Sequence, residues 1–99
     1  MIAAIIQARM GSSRLPGKIL KPILGRPMLE LQIERVMRAS RIDRLTIATS
    51  TDPSDDLVEQ FCSERDLSCF RGSLEDVLDR YYQAAMAIGA NQIVRLTGD

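Results

Sequence analysis

Residues 7–18 read Gln-Ala-Arg-Met-Gly-Ser-Ser-Arg-Leu-Pro-Gly-Lys. Arg9, Arg14 and Lys18 are interleaved there with Gly11, Ser12, Ser13 and Gly17. Glycine lets a backbone come close to a ligand and take positive φ. Successive exposed N–H groups in such a turn make an anion-binding concavity. Arginine adds forked hydrogen bonds to phosphate oxygens. The set suits a triphosphate better than a lone carboxylate. The competing reading is a basic, solvated loop with no ligand, because Gly, Pro and Ser punctuate any loop.

Two familiar phosphate motifs are absent. A Walker A loop ending at Gly17-Lys18 needs glycine at position 12, which is Ser, and Ser or Thr at position 19, which is Ile. The dinucleotide fingerprint G-x-G-x-x-G does not occur either. Other chemistries have little to work with. The chain has no histidine, and Cys62 and Cys69 lack C-x-x-C spacing, so no zinc constellation is present and two reduced, mostly buried thiols of a cytoplasmic protein are expected. Thirteen Lys and Arg balance 13 Asp and Glu, which gives no global attraction to nucleic acid or an anionic membrane. The balance is uneven along the chain: residues 1–44 hold nine of the cations but only Glu30, Glu34 and Asp43 among the acids. A basic first half serves an anionic ligand locally. No apolar run approaches the ~20 residues of a membrane span, and no basic segment precedes residues 1–6 as in a secretion signal.

The loop needs rigid elements on either side. Residues 2–7 form a continuous apolar run, as in a strand covered on both faces. After the loop of residues 11–25, a helix is predicted from Pro27 as its first residue, with Leu29, Ile33, Val36 and Met37 on one face. Residues 45–48 read as a second strand. Asp52 followed by Pro53 signals a helix start, with Leu57, Val58, Phe61 and Cys62 as its apolar side. Residues 67–70 give a short third strand. Ser73 and Asp76 resemble a capping box with Asp in place of Glu or Gln. They open a helix predicted to bury Leu74, Val77, Leu78, Tyr81, Ala85 and Ile88 and to close at Gly89. Residues 92–96 form the last strand. Strands alternating with helices imply an α/β fold: a Rossmann-like, three-layer α/β/α arrangement around a mostly parallel sheet. Ligands of such sheets bind beyond the carboxyl ends of the strands, where the topology switches. The first loop and Asp99 both follow strands.

Residues 8–18, A-R-M-G-S-S-R-L-P-G-K, resemble the A-R-x-x-S-x-R-L-P-x-K signature of the sugar cytidylyltransferases. These include CMP-Kdo synthetases, acylneuraminate cytidylyltransferases and the spore-coat polysaccharide (SpsF-type) branch. Gly25-Arg-Pro-Met28 is similar to the G-K-P-[ML] at their first helix, and Thr49-Ser-Thr-Asp52 to their A-T-[ST]-D. Phe70-Arg-Gly-Ser73 and Asp76-Val-Leu-Asp-Arg-Tyr-Tyr82 look most like the SpsF-type branch. Leu96-Thr-Gly-Asp99 resembles the family's G-D. Gln7 stands where relatives often carry Pro. A G-x-G-T-R-L loop, as in sugar-1-phosphate nucleotidyltransferases, is not present.

The resemblance implies a nucleotide-diphospho-sugar transferase fold of roughly twice this length. Residues 1–99 would be its N-terminal nucleotide-binding part, truncated at the C-terminus and inactive alone. The implied reaction transfers CMP from CTP to a sugar hydroxyl with release of pyrophosphate and requires Mg²⁺. The partners would be CTP and a sugar acceptor, with neither nucleic acid nor membrane, and a homodimer of the full-length protein stays open. Arg9, Ser13, Arg14 and Lys18 would contact the triphosphate, Gly11 and Ser12 would shape the loop, and the Ala8 backbone would lie near the base. Asp99 would be a magnesium ligand. Asp52, Arg71 and Ser73 would approach the nucleotide, although capping accounts equally for Asp52 and Ser73. Asp76, Asp79 and Arg80 either line the nucleotide edge or decorate a helix, with Asp76 and Arg80 as a surface i,i+4 pair. Two alternatives remain: a non-catalytic nucleotide-binding or regulatory module, and a nucleotidyltransferase or glycosyltransferase that uses another nucleotide.

Overall fold

A computed structural model describes residues 2–11, 20, 22–23, 25–38, 41–73, 76–89 and 92–97. Its elements run β1 (Ile2–Gln7), β2 (Pro22–Ile23), β3 (Arg26–Pro27), α1 (Met28–Met37), β4 (Arg44–Ser50), α2 (Asp56–Glu64), β5 (Ser68–Gly72), α3 (Val77–Ile88) and β6 (Gln92–Thr97). A 3₁₀ turn, Pro53–Asp55, leads into α2.

The main sheet is parallel, with strand order β5-β4-β1-β6. The chain steps from β1 to β4 to β5 in one direction, then returns across the sheet to β6. Crossovers between parallel strands are right-handed, so a reversal of direction moves the connecting helix to the other face. The packing follows this rule. Ile6, Ile47, Val58, Phe61 and Cys62 form one cluster with Leu29 and Ile33 of α1. Ile5, Ala48 and Ala84 of α3 form the other, joined by Phe70, Tyr81, Ala85 and Ile93. Three layers result, as the alternation of elements predicts. The reversal also puts the switch point between β1 and β6, and the basic loop leaves β1 there. β1 is flanked on both sides and covered on both faces. That is why Ala3, Ala4, Ile5 and Ile6 are all fully buried and show no polar alternation.

Several expectations shift. Pro22–Ile23 and Arg26–Pro27 pair as a small antiparallel ladder, where residues 22–25 were expected to be loop, with Gly25 before β3 at φ of 84°. Pro27 is the residue before α1 rather than its first. Met37 and Leu57, assigned to buried faces, are about half exposed. The largest correction concerns α3. It begins at Val77, capped by the Asp76 carboxylate on the Asp79 amide at 2.9 Å, whereas Ser73 Oγ only accepts from the Asp76 amide at 3.1 Å. Its buried face holds Arg80 and Ala84, while Leu78 is 69% exposed. Tyr81 packs inward and donates its hydroxyl to the Leu96 carbonyl at 2.7 Å. Leu74 lies outside the described residues, as do the side chains of Val77 and Ile88. Gly89 ends α3 in the left-handed conformation expected of it, φ 63°. No helix among the described residues is long and apolar enough to cross a membrane.

Candidate functional site

The carboxyl edge of the sheet is organised by a residue that the motifs do not single out. Asp55 ends the 3₁₀ turn after β4 and is 1% exposed. One carboxylate oxygen accepts the Met10 amide at 2.8 Å. The other accepts the Ser50 hydroxyl and lies 3.8 Å from Arg9 Nε. A buried carboxylate is stable only when donors surround it. Here the donors come from the ends of both β1 and β4, so Asp55 sets where the basic loop leaves the sheet. Asp52 caps the turn from outside by accepting the Ser54 amide at 3.0 Å and the Ser54 hydroxyl. The Ser54 hydroxyl is the main cause holding the Asp52 carboxyl below its ordinary value.

Arg71, at the end of β5, clamps the same turn. Nε donates to the Ser50 carbonyl at 2.7 Å and Nη2 to the Asp52 carbonyl at 2.9 Å. Nη1 donates to Asp56 at 2.8 Å and Glu59 at 3.2 Å. Asp56 then Glu59 are the bonded acids that raise the Arg71 pKa. Arg71 therefore stands at the predicted edge while tying β5 to the start of α2. Ser73 follows it and is exposed.

Ala8 is buried, and its amide continues the sheet by donating to the Ala48 carbonyl at 2.9 Å. Gly11 is exposed, and a methyl group built on it would meet nothing within 4 Å. Its φ is not positive, so the backbone freedom argued from sequence is not what requires glycine there. Arg9, Ala8, Asp52, Arg71 and Ser73 are thus gathered at one edge. Ser12, Ser13, Arg14, Lys18 and Asp99 lie outside the described residues.

A second buried charge lies close by. Arg80, in the first turns of α3, is 1% exposed rather than paired on the surface with Asp76. Gly72 ends β5 on the α3 face, two residues beyond Phe70, and a methyl group built on it would come within 2.8 Å of Arg80 Cγ. Glycine is required there so that the arginine stem can cross the strand end. Burial is the chief cause depressing the Arg80 pKa. Arg9 lowers it further and Asp55 raises it. Gly72, which Arg80 crosses, pairs with Ser50, whose hydroxyl bonds Asp55, so the two buried charges lie at the same strand ends. Both buried charges left a trace in the sequence. Asp55 precedes Val58 and Cys62 by three and seven residues, and Arg80 precedes Ala84 by four, so each sits on its helix's buried stripe.

Among the described residues no group of three or more His, Cys, Asp and Glu is arranged to hold a metal ion. Asp55 is already surrounded by donors, and Asp99, the ligand that the resemblance implies, lies outside the described residues. A magnesium ion bound mainly through substrate phosphates needs only one or two protein carboxylates, so this donor chemistry is compatible with it. An open hollow of about 580 Å³ lies elsewhere, between α2 and β5. Asp56, Glu59 and Glu64 line it beside the free thiols of Cys62 and Cys69, a charge unsuited to phosphate.

A family model described as Cytidylyltransferase matches residues 3–99. The chain belongs to the cytidylyltransferase family. It is 44% identical, over 99% of its length and 42% of the relative's, to the spore coat polysaccharide biosynthesis protein SpsF of Bacillus subtilis (strain 168). It is 39% identical to 3-deoxy-manno-octulosonate cytidylyltransferase 2 of Hydrogenovibrio crunogenus, over 95% of this chain and 38% of that one. A solved cytidylyltransferase from Leptospira borgpetersenii superposes with a TM-score of 0.91 at 39% identity, covering 99% of this chain and 41% of its own. A solved CMP:2-keto-3-deoxy-manno-octonic acid synthetase complexed with CTP gives a TM-score of 0.83 at 32% identity, covering 99% and 40%. The chain thus spans about two fifths of the length of these cytidylyltransferases.

Proposed function

We propose that this chain is the CTP-binding part of an enzyme that transfers CMP from CTP to a sugar hydroxyl, releasing pyrophosphate, in the synthesis of activated sugars for surface polysaccharide. The observation that carries this reading is the likeness, over 99% of the chain, to a synthetase complexed with CTP. The geometry of the edge supports it. Asp55 holds the first residues of the basic loop against the end of β4, so Arg9 is presented at the switch point with its neighbours oriented before any ligand arrives.

In nucleotidyl transfer the acceptor oxygen attacks the α-phosphorus while the bond to the β-phosphate breaks. The protein's share is to hold the triphosphate in line and to stabilise the charge that collects on pyrophosphate. Arg9, Arg14 and Lys18 would supply that positive charge, Ser12 and Ser13 would add donors, and Asp99 would hold a magnesium ion. The ion would neutralise phosphate charge during transfer. In the intact protein, with Mg²⁺ and a sugar acceptor, pyrophosphate release should depend on CTP, and Arg14→Ala should nearly abolish it. Undiminished release by Arg14→Ala, or equal use of GTP and UTP, would overturn the assignment.

A further inference from the structure

Arg80 is the one buried cation of the described residues that the fold leaves unsatisfied. Its Nε and Nη1 are buried and have no hydrogen-bond partner among the described residues. They carry three of the guanidinium's five donors, and sealing such donors from water without acceptors is costly. The nearby carboxylate does not relieve it. Asp55 already accepts from Met10 and Ser50 and faces Arg9. Arg80 therefore adds a second cation to a strand end where the one buried acid among the described residues is taken. Its position is also constrained, because Gly72 leaves room for the stem and a single methyl group there would collide with it. The bare strand end thus holds an arginine whose guanidinium keeps hydrogen-bonding capacity that the described residues do not use.

We propose that Arg80 receives a phosphate oxygen of the bound triphosphate, reaching it from the α3 side of the sheet while Arg9 approaches from the loop. The inference rests on the CTP reading above and adds a residue to it. An anion is the fitting ligand, because two neighbouring guanidinium groups are brought to balance by negative charge and not by a neutral carbonyl. A triphosphate offers several anionic oxygens to share between the two cations, whereas a single carboxylate offers two.

The test uses the intact protein, with CTP and inorganic tripolyphosphate as separate probes in Mg²⁺, and Arg80→Met and Arg80→Lys as variants. Calorimetric titration should show Arg80→Met binding both probes about 10- to 100-fold more weakly than wild type, the loss expected for a hydrogen bond to a charged group. Arg80→Lys should fall between the two. Methionine keeps the apolar stem and removes the buried charge, so the ligand-free melting temperature of Arg80→Met should rise while its increase on adding CTP shrinks. A fall in ligand-free melting temperature would make Arg80 a structural residue and overturn the proposal. Equal CTP binding by wild type and Arg80→Met would overturn it and leave the CTP reading standing. Loss of CTP binding with unchanged tripolyphosphate binding would overturn the phosphate assignment. Wild type that binds neither probe would overturn both readings.

Discussion

Asp55 and Arg80 are buried to the same degree, carry opposite charges and lie at the same edge of the sheet. Their surroundings differ. Asp55 is enclosed by donors from β1 and β4, all supplied by the chain. Arg80 is enclosed by β5 and α3, and among the described residues no acceptor meets two of its nitrogens. A buried charge that the protein satisfies belongs to the architecture. One that it leaves unsatisfied costs stability in the free state, and binding of an anion offsets that cost. The difference divides the edge into a part that sets geometry and a part that waits for ligand. Arg71 belongs to the first part, since its guanidinium ties the Ser50 and Asp52 carbonyls to Asp56 and Glu59.

Removing the satisfied charge is the most damaging way to probe this division. Asp55→Ala leaves the Met10 amide and the Ser50 hydroxyl without their acceptor in a buried setting. Denaturant titration of the intact protein should show a loss of about 3–5 kcal/mol. A loss below about 1 kcal/mol would mean that the loop is anchored elsewhere, and the contrast with Arg80 would collapse. Gly72→Ala probes the other side. The backbone there is not in a glycine-only region, so the variant reads sterics alone: a 2.8 Å collision with Arg80 Cγ and a tight 3.1 Å approach to Phe70 Cε1. A cost of about 1–3 kcal/mol is expected from overpacking. In an Arg80→Ala background the same substitution should cost clearly less, because the closer of the two obstacles is gone and only Phe70 must give way. Equal costs in the two backgrounds would show that Gly72 does not exist to accommodate the arginine.

The layers of this fold were readable because they rest on repeated patterns. An unbroken apolar run in residues 2–7 and three strand–helix alternations suffice for a parallel sheet, and chirality then assigns each helix to a face. The Asp52 cap was readable because Asp directly before Pro after a strand has few other uses. The buried charges were not. Asp55 sits in a run, Asp52-Pro-Ser-Asp-Asp56, where every acid looks like helix-start decoration. Arg80 has an acid four residues before it and reads as half of a surface pair. Their spacing from Val58, Cys62 and Ala84 hints that they turn inward, but tertiary packing is needed to choose that over the surface reading. The exposed apolar side of α3 escaped for the same reason: Leu78, Tyr82 and Met86 recur every four residues, the spacing of a buried stripe, yet stand 69%, 61% and 64% exposed. Periodicity identifies an apolar stripe without saying which neighbour covers it.

The smallest effect separates inner from outer support of the 3₁₀ turn. Asp52 holds the turn from the solvent side, and its carboxyl is depressed below the ordinary 3.8 first by the Ser54 hydroxyl and then by the Ser54 amide. A carboxylate with a depressed folded-state pKa stabilises the fold fully above its unfolded value and loses that contribution as pH falls through the folded value. Ser54→Ala removes the larger cause. It should leave stability at neutral pH nearly unchanged, because an exposed pair of this kind contributes little in water. Its acid limb should flatten below about pH 4, as measured by denaturant midpoints across a pH series. If Ser54→Ala instead lowers neutral-pH stability as far as Asp55→Ala does, the turn is held from outside. Asp55 then loses its place as the buried charge that fixes the edge, and the division between satisfied and waiting charges fails with it.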